Sequence, residues 1–129
     1  MANVRRRDTG PERALRRALW RRDLRYRLHA RDLPGTPDVV FRRARLAVFV
    51  HGCYWHRHEG CRRASTPKTN VEFWTAKFAA NVARDRRNRD DLRAIGWMSY
   101  VVWGCQTATS DSLNHVADDI ERVVRRRFA

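Results

Sequence analysis

Apolar and polar residues follow one another along this chain in runs that predict a fixed order of helices and strands. Thr9, Pro11 and Glu12 form a helix start, with Thr9 as the N-cap and Glu12 closing a capping box. The apolar residues that follow recur at helical spacing and are Ala14, Leu15, Ala18 and Leu19. The chain therefore opens with a helix that has one apolar face.

Three short strands are predicted next. Residues 24–28 alternate apolar side chains with arginines, which favours an extended segment. After a turn cluster in residues 33–37, residues 38–41 and 46–50 are predicted as strands, joined by a hairpin turn over residues 42–45. The second of these strands is apolar throughout, which is typical of a strand buried on both faces.

The second half of the chain predicts a helix, a strand and a helix. A second capping box in residues 69–72 opens a helix that Gly96 ends. That helix passes through the apolar residues Phe73, Trp74, Phe78 and Val82. Residues 97–103 are predicted as a strand, and apolar spacing over 113–124 marks a final helix. The order α, β, β, β, α, β, α indicates one α/β domain over residues 1–129, with a mixed central sheet flanked by helices.

Composition adds a strong positive charge to this pattern. The 28 Lys and Arg residues outnumber the 14 acidic residues, and hydrophobic residues make up 43% of the chain, so it is not compositionally disordered. Arginine predominates, and it binds phosphates and base edges in a bidentate manner, so a nucleic acid is the favoured partner. Residues 1–8 and 125–129 are expected to be a flexible basic N-terminus and a basic C-terminal tail.

The sequence also predicts where the protein acts in the cell. No segment reaches the roughly 18 apolar residues that a membrane span needs, and no secretory signal is evident at the N-terminus. A cytoplasmic protein without a membrane partner is therefore expected.

Histidines and cysteines are concentrated in residues 51–61, directly after the buried strand. A structural zinc site needs four such ligands in a tetrahedron. The ligands favoured by spacing are Cys53, His58, Cys61 and Cys105. His51 or His56 could replace His58, and the alternative is that the cysteines are small buried hydrophobic residues. An odd number of cysteines argues against a disulfide framework.

Candidate catalytic groups lie on either side of the predicted hairpin. Asp38 opens a strand, where many metal-dependent nucleases place a carboxylate that holds Mg²⁺ against a phosphate. Those nucleases usually continue with an acidic-x-Lys element, but here the next strand ends in residues 49–51, which contain neither. His51 or His56 can take the missing role, because an imidazole with a pKa of about 6.5 suits a general base at neutral pH. Each candidate also has a structural alternative: Asp38 could cap the turn, the histidines could lie at the surface or behind the reacting groups, and Glu12 could serve only in the capping box.

Several segments combine into one pattern that covers most of the chain, from about Arg5 to Cys105. They are LPGTPD (33–38), HGCYWHRH (51–58), EFW (72–74), NVARDRR (81–87), GW (96–97) and VVWGC (101–105). The pattern resembles the very-short-patch repair endonucleases. That family nicks one strand of duplex DNA 5′ to the thymine of a T·G mismatch, which arises when 5-methylcytosine deaminates. Its fold is similar to that of type II restriction endonucleases, with an added structural zinc site.

The resemblance implies two metal sites. Asp38 and the backbone carbonyl of Val50 would bind a catalytic Mg²⁺, although the family usually has Thr where this chain has Val50. Glu12 would belong to the water and metal network of the active site. Zinc would be held by Cys53, His58, Cys61 and Cys105.

The resemblance also implies how DNA is cleaved and recognised. His56 would be the general base, and His51 would assist at the scissile phosphate, supported by Asp85. The residues that would wedge into the base stack beside the mismatch are Tyr54, Trp55 and Trp74, whereas Trp20, Trp97 and Trp103 are expected in the core. Lys77 and Asn81, one helical turn apart, would contact the wobble pair.

The chain departs from the family pattern in three places. Glu59 and Gly60 lengthen the interval before Cys61 by one residue, Tyr54 replaces the usual Phe, and the N-terminal segment that reaches the minor groove is largely missing. Two alternatives therefore stay open: a nicking endonuclease of the same fold with another mismatch or deaminated base as its target, and a zinc-stabilised DNA-binding module without catalysis. The expected partner is duplex DNA with a T·G mismatch, bound by a monomer, and mismatch-repair proteins are further candidates.

Overall fold

The computed structural model describes residues 9–128 of the chain. Its elements are α1 (Gly10–Trp20), β1 (Arg27–Leu28), β2 (Val39–Phe41), β3 (Leu46–His51), α2 (Val71–Ala94), β4 (Met98–Trp103), a short 3-10 helix (Gly104–Thr107) and α3 (Ser110–Phe128). This order confirms the predicted sequence of elements and the α/β class. The expected flexible N-terminus, residues 1–8, and the last residue, Ala129, lie outside the described residues.

The sheet is mixed, as predicted, and β3 lies inside it. The strand order is β1-β2-β3-β4, with antiparallel β1/β2 and β2/β3 pairs and a parallel β3/β4 pair. The register sets Val39 opposite Val48 and His51 opposite Trp103. The ends of β3 and β4 therefore meet at one edge of the sheet, beside the start of β2.

Helices cover both faces of the sheet. On one face α1 and α3 bury a core that includes Leu15, Leu19, Val39, Val48, Val102, Val116 and Ile120. On the other face a smaller core is formed by Ala30, Leu33, Val40, Ala47, Phe49 and Leu92. Side chains alternate between the faces of a strand, so His51 follows Ala47 and Phe49 onto the face that α2 covers.

The two predicted helix starts have different outcomes. Thr9 is the N-cap of α1, and its hydroxyl accepts a hydrogen bond from the Glu12 N–H at 3.4 Å. The second capping box, predicted in residues 69–72, is wrong: Asn70 is the N-cap, and its side chain makes no cap hydrogen bond. Asn70 instead adopts a left-handed conformation with φ 50°, which asparagine tolerates better than most residues.

Helix α2 packs through a stripe that hydrophobicity does not reveal. Its only fully buried residues are Phe78 and Leu92, whereas Phe73 and Val82 are 61% and 43% exposed. The buried and half-buried positions recur at spacings of three and four and are Trp74, Phe78, Asn81, Asp85, Asn88 and Leu92, with half-buried Arg89 beside Asn88. The middle of this stripe is polar, so α2 places hydrogen-bonding groups over the sheet edge where β3 ends.

Two sequence expectations on the surface are corrected. Trp20 was expected in the core but is 52% exposed, with the Arg25 guanidinium 3.6 Å from its ring centroid. The basic residues 125–127, expected in a tail, lie in the last turn of α3.

Within residues 9–128, no helix combines the length and apolarity that crossing a membrane requires.

Candidate active site and metal centre

Asp38 sits at the entry to β2, after the turn of residues 33–37. Its Oδ2 accepts a hydrogen bond of 2.7 Å from the Val50 N–H across the strand pair. Burial, with a smaller contribution from the Glu12 charge, raises the pKa of Asp38 to about 6 even though the Val50 N–H lowers it. A carboxylate that is costly to ionise in this position is suited to binding a cation.

The turn before Asp38 is held against α2 by a close contact. Gly35 has φ +77°, and a Cβ at this position would lie 2.8 Å from the Asn88 side chain. Glycine is therefore required both by the backbone conformation and by the space available. This contact fixes the approach of the chain to Asp38.

Two further ligand-type side chains lie next to Asp38. Glu12, buried on α1, has its Oε2 3.5 Å from His29 Nε2. The side-chain donor atoms of Glu12, His29 and Asp38 all lie within 4.8 Å of one another. The sequence suggested a place for Glu12 in this network but gave no role to His29, which precedes the turn at the end of β1 and carries no motif.

Across the end of β3, the candidate general base His56 is paired with a carboxylate. Its Nδ1 lies 2.7 Å from Asp85 Oδ2. Because a carboxylate accepts the Nδ1 proton, the lone pair is left on Nε2, the nitrogen free to accept a proton from a reactant. Asp85 was predicted to support His51, but its direct hydrogen bond is to His56, against which His51 stacks with a ring-centroid distance of 3.9 Å.

The two histidines differ in their electrostatic surroundings. Burial, and next the neighbouring His56, lowers the pKa of His51 to about 4, so His51 is neutral at physiological pH. Although burial alone would raise it, the hydrogen bond to His56 and nearby positive charges hold the pKa of Asp85 below its ordinary value. Asp85 is thus ionised beside His56, an arrangement that stabilises a proton gained on that ring.

These two clusters open into one cleft. Its volume is about 670 Å³, and both Asp38 and His56 line it. Arg31, Arg84 and Asn88 line it as well. Two arginines beside paired acidic and imidazole groups make the cleft suitable for a phosphate.

The four predicted zinc ligands converge on a single point. The donor atoms of Cys53, His58, Cys61 and Cys105 all lie within 4.8 Å of one another, and the Cys105 Sγ to His58 Nδ1 distance is 3.4 Å. Ligands bound to one tetrahedral zinc at about 2.0–2.3 Å lie roughly 3.5–3.8 Å apart. The cluster could therefore hold a metal ion with little rearrangement.

The protonation of this cluster also favours a cation. Burial, and next hydrogen bonding to Cys53, raises the pKa of the Cys105 thiol to about 11. The backbone N–H of Arg63 is the main cause that lowers the pKa of Cys61. Cys105 is therefore a neutral thiol on its own, and a bound cation would be needed to hold it as a thiolate ligand.

Trp103 and Arg57 connect the Cys/His cluster to its surroundings, and sequence reasoning missed both roles. Trp103 stacks on His58 at 4.3 Å and packs edge-on against His51 at 5.3 Å. Arg57 donates hydrogen bonds of 2.9–3.3 Å to three loop carbonyls and covers the Phe78 ring at 4.2 Å. Trp103 was expected in the core but is half-buried, between a metal-type ligand and a catalytic candidate.

The predicted wedge residues form one aromatic cluster. Tyr54 and Trp55 are 5.1 Å apart, and Trp55 lies 5.9 Å from Trp74. All three are half-buried above the buried Phe78. Exposed Phe73 extends the cluster next to Trp74 and was not anticipated as part of it.

The two predicted base-contact residues are placed differently. Lys77 is exposed on α2. The Asn81 amide donates to the Trp55 carbonyl at 3.2 Å, and its oxygen accepts from Arg84 at 3.3 Å. Asn81 thus joins α2 to the loop that carries Trp55.

A mixed sheet that carries a carboxylate and two histidines at one edge, in an arginine-lined cleft, is consistent with an endonuclease of restriction-endonuclease-like fold. The comparisons agree with this class. Residues 1–63 match the family model described as DNA mismatch endonuclease Vsr. The Type II nicking enzyme V.XorIIP of Xanthomonas oryzae pv. oryzae is 48% identical over 113 residues, 88% of this chain and 82% of the relative.

Two other relatives extend the comparison. The DNA mismatch endonuclease Vsr of Escherichia coli is 39% identical over 86% of this chain and 70% of its own length. The Type II nicking enzyme V.NmeAIP of Neisseria meningitidis is 33% identical over 96% of this chain and 91% of its own length. The chain belongs to the Vsr family of very-short-patch repair DNA endonucleases, which confirms the predicted resemblance.

Proposed function

We propose that this endonuclease nicks one strand of duplex DNA 5′ to the thymine of a T·G mismatch, by Mg²⁺-dependent hydrolysis with His56 as the general base. The observation that carries the proposal is the convergence of Asp38 and the His56–Asp85 pair in one cleft beside the end of β3. One side of the cleft offers a cation site and the other a base, as phosphodiester hydrolysis needs.

The backbone supports a cation site between Asp38 and Val50. The N–H and C=O of one residue in a β-strand lie on the same side of the strand. Because the Val50 N–H donates to Asp38, the Val50 carbonyl is directed toward Asp38 as well. Asp38 and this carbonyl would hold Mg²⁺, which prefers oxygen ligands. When bound, Mg²⁺ would stabilise the negative charge that develops on the phosphate oxygens.

His56 is the better of the two histidines for accepting a proton. Asp85 accepts a hydrogen bond from His56 Nδ1 and would stabilise the positive charge on the His56 ring after Nε2 takes a proton from the attacking water. His51 is held neutral by its buried position and would donate a hydrogen bond to the phosphate. Arg31 and Arg84 would bind flanking phosphate oxygens.

The aromatic cluster supports mismatch recognition. Tyr54 and Trp55 lie on the loop that carries His56, and Trp74 lies on the helix that carries Asp85. Inserting aromatic side chains between bases costs a few kcal/mol per step and costs least at a mispair. Zinc at the Cys/His cluster would fix this loop, so that the aromatic cluster and the general base His56 keep a constant separation.

A strand-scission assay tests the proposal. Duplexes labelled at one 5′ end, with a T·G, U·G, hypoxanthine-containing or matched pair, are incubated with Mg²⁺. We expect a single nick 5′ to the mispaired thymine and none in matched DNA; faster nicking of another lesion would reassign the target. Binding without scission in Mg²⁺ or Mn²⁺ would indicate a non-catalytic DNA-binding module.

The variants in this assay separate the site from the rest of the protein. Asp38→Ala should abolish nicking, and nicking at the wild-type rate would exclude Asp38 as the cation ligand. His115, an exposed histidine on α3, provides the matched control, and His115→Ala should behave as wild type. A nick needs one active site, so we expect the active species to be a monomer.

A further inference from the structure

His29 occupies a position that the proposed mechanism does not use. Its Nε2 is shielded from solvent and makes no hydrogen bond within residues 9–128. It points toward the Glu12 carboxylate, 3.5 Å away. A buried imidazole nitrogen without a hydrogen bond is costly, which indicates that a group outside the described chain completes its environment.

The backbone holds His29 in this place. The β1/β2 register pairs Leu28 with Val39, so the next pair along is His29 and Asp38. The His29 N–H donates to the Asp38 carbonyl at 3.1 Å. His29 also has φ 47°, a left-handed conformation that is unfavourable for a residue other than glycine. The strand pairing therefore imposes an orientation that His29 would not adopt alone.

The geometry allows one ion to contact all three side chains. The donor atoms of Glu12, His29 and Asp38 lie within 4.8 Å of one another. Ligands around an octahedral ion at about 2.1 Å are separated by roughly 3.0–4.2 Å. The distance of 3.5 Å between Glu12 Oε2 and His29 Nε2 already lies in this range.

We infer that His29 is a ligand of the catalytic cation, together with Asp38 and Glu12, and that its nitrogen makes the site favour divalent transition metals such as Mn²⁺ over Mg²⁺. Imidazole is a softer ligand than a carboxylate or carbonyl, and Mg²⁺ prefers oxygen. The inference rests on the proposed function insofar as Asp38 anchors the cation. It adds a ligand that would set which cation is bound.

Direct metal binding tests the inference without reference to activity. Zinc-loaded wild-type protein is titrated with Mn²⁺, free ion is followed by electron paramagnetic resonance, and Mg²⁺ affinity is obtained by competition. His29→Gln keeps a polar side chain of similar reach but removes the imidazole, and His115→Gln is the matched control. We expect His29→Gln to weaken Mn²⁺ binding at least about tenfold and Mg²⁺ binding by much less, with no change in His115→Gln.

A spectroscopic measurement guards against a folding defect in the variant. Electron spin echo modulation of Mn²⁺-loaded wild type should show coupling to a directly bound ¹⁴N, and His29→Gln should lose it. The inference would be overturned if His29→Gln bound both metals as tightly as wild type, or lost affinity for both metals equally. A nitrogen signal that persists in a folded His29→Gln protein would also overturn it, because the nitrogen would then come from His51 or His56.

Asp38→Ala distinguishes this failure from that of the proposed function. If Asp38→Ala leaves the binding of both metals unchanged, the cation site itself is misplaced. If it abolishes both while His29→Gln changes neither, the proposed cation site stands and His29 is not a ligand.

Discussion

The imidazole rings of His51 and His56 stack face to face, with centroids 3.9 Å apart and planes within 6° of each other. Two rings this close cannot both be protonated without strong repulsion. The burial of His51 resolves the conflict, because its low pKa leaves His56 as the ring that can carry a proton beside Asp85. The stack therefore assigns different roles to two adjacent histidines.

Replacing His56 should remove most of the catalysis. We expect His56→Ala to lower the single-turnover nicking rate by about 10²–10⁴, the usual contribution of a general base. Mismatch binding, measured by fluorescence anisotropy, should change little. A His56→Ala enzyme that nicks within a few-fold of wild type would assign the base role to another group.

Asp85 should matter through His56 rather than through DNA. Asp85→Asn removes the charge that accepts the Nδ1 proton, and we expect kcat to fall by roughly 10- to 100-fold with KM nearly constant. Asp91→Asn, on an exposed position of the same helix, is the matched control. A change confined to KM would show that Asp85 acts on substrate binding.

Asp38 should destabilise the metal-free protein as pH rises. Its folded pKa of about 6 exceeds the ordinary value of 3.8, so the folded state binds more protons than the unfolded state between these values. The contribution of Asp38 to the free energy of unfolding is therefore fully present below about pH 4 and is lost as pH rises through 6. The loss above pH 7 is on the order of 2–3 kcal/mol.

Asp38→Asn tests this directly, because the amide oxygen can still accept from Val50. We expect the variant to be more resistant to urea than wild type at pH 8 without Mg²⁺, and no more resistant at pH 4. It should be inactive at both. If Asp38→Asn differed from wild type in urea resistance by the same amount at pH 4 and pH 8, the buried charge would not be the cause of the difference.

The Cys/His cluster should control both stability and the aromatic loop. Removing its metal with a chelator, or replacing Cys105 by Ser, should lower Tm by at least about 10 °C. Tryptophan fluorescence should change as well, because Trp103 stacks on His58. An unchanged Tm in a protein shown to lack metal would make the cluster dispensable for folding.

Trp55 should discriminate mismatched from matched DNA. Base stacking on an aromatic side chain is worth about 1–3 kcal/mol, so Trp55→Ala should reduce the affinity ratio of T·G to matched duplex by roughly 5- to 100-fold. Trp20→Ala, at an exposed tryptophan outside the aromatic cluster, is the control. Equal losses on both duplexes would make Trp55 a general contact.

The sequence predicted what is carried by local patterns. Apolar spacing identified the helices and strands, and the cysteine and histidine spacing identified four ligand-type residues that the fold brings together. Position after the turn singled out Asp38. Each of these features depends on residues close together in sequence or on one distant cysteine at a strand end.

What escaped prediction depends on register and helix face. His29 reaches Asp38 only because β1 and β2 pair as they do, and Trp103 reaches His51 only through the β3/β4 register. The stripe of α2 is polar where it crosses the cleft, so hydrophobic spacing pointed to Phe73 and Val82 instead. Functional side chains interrupt the amphipathic pattern from which helix faces are inferred.

The alternation of β3 has a consequence for how members of this family can differ in length. One residue inserted between Asp38 and His51 would slip the pairing and turn His51 to the opposite face of the sheet. Glu59 and Gly60 lie in an exposed turn, and Gly60 has φ +72° with open space around its Cα. Insertions and deletions should therefore collect at this turn, while the interval from Asp38 to His51 stays constant.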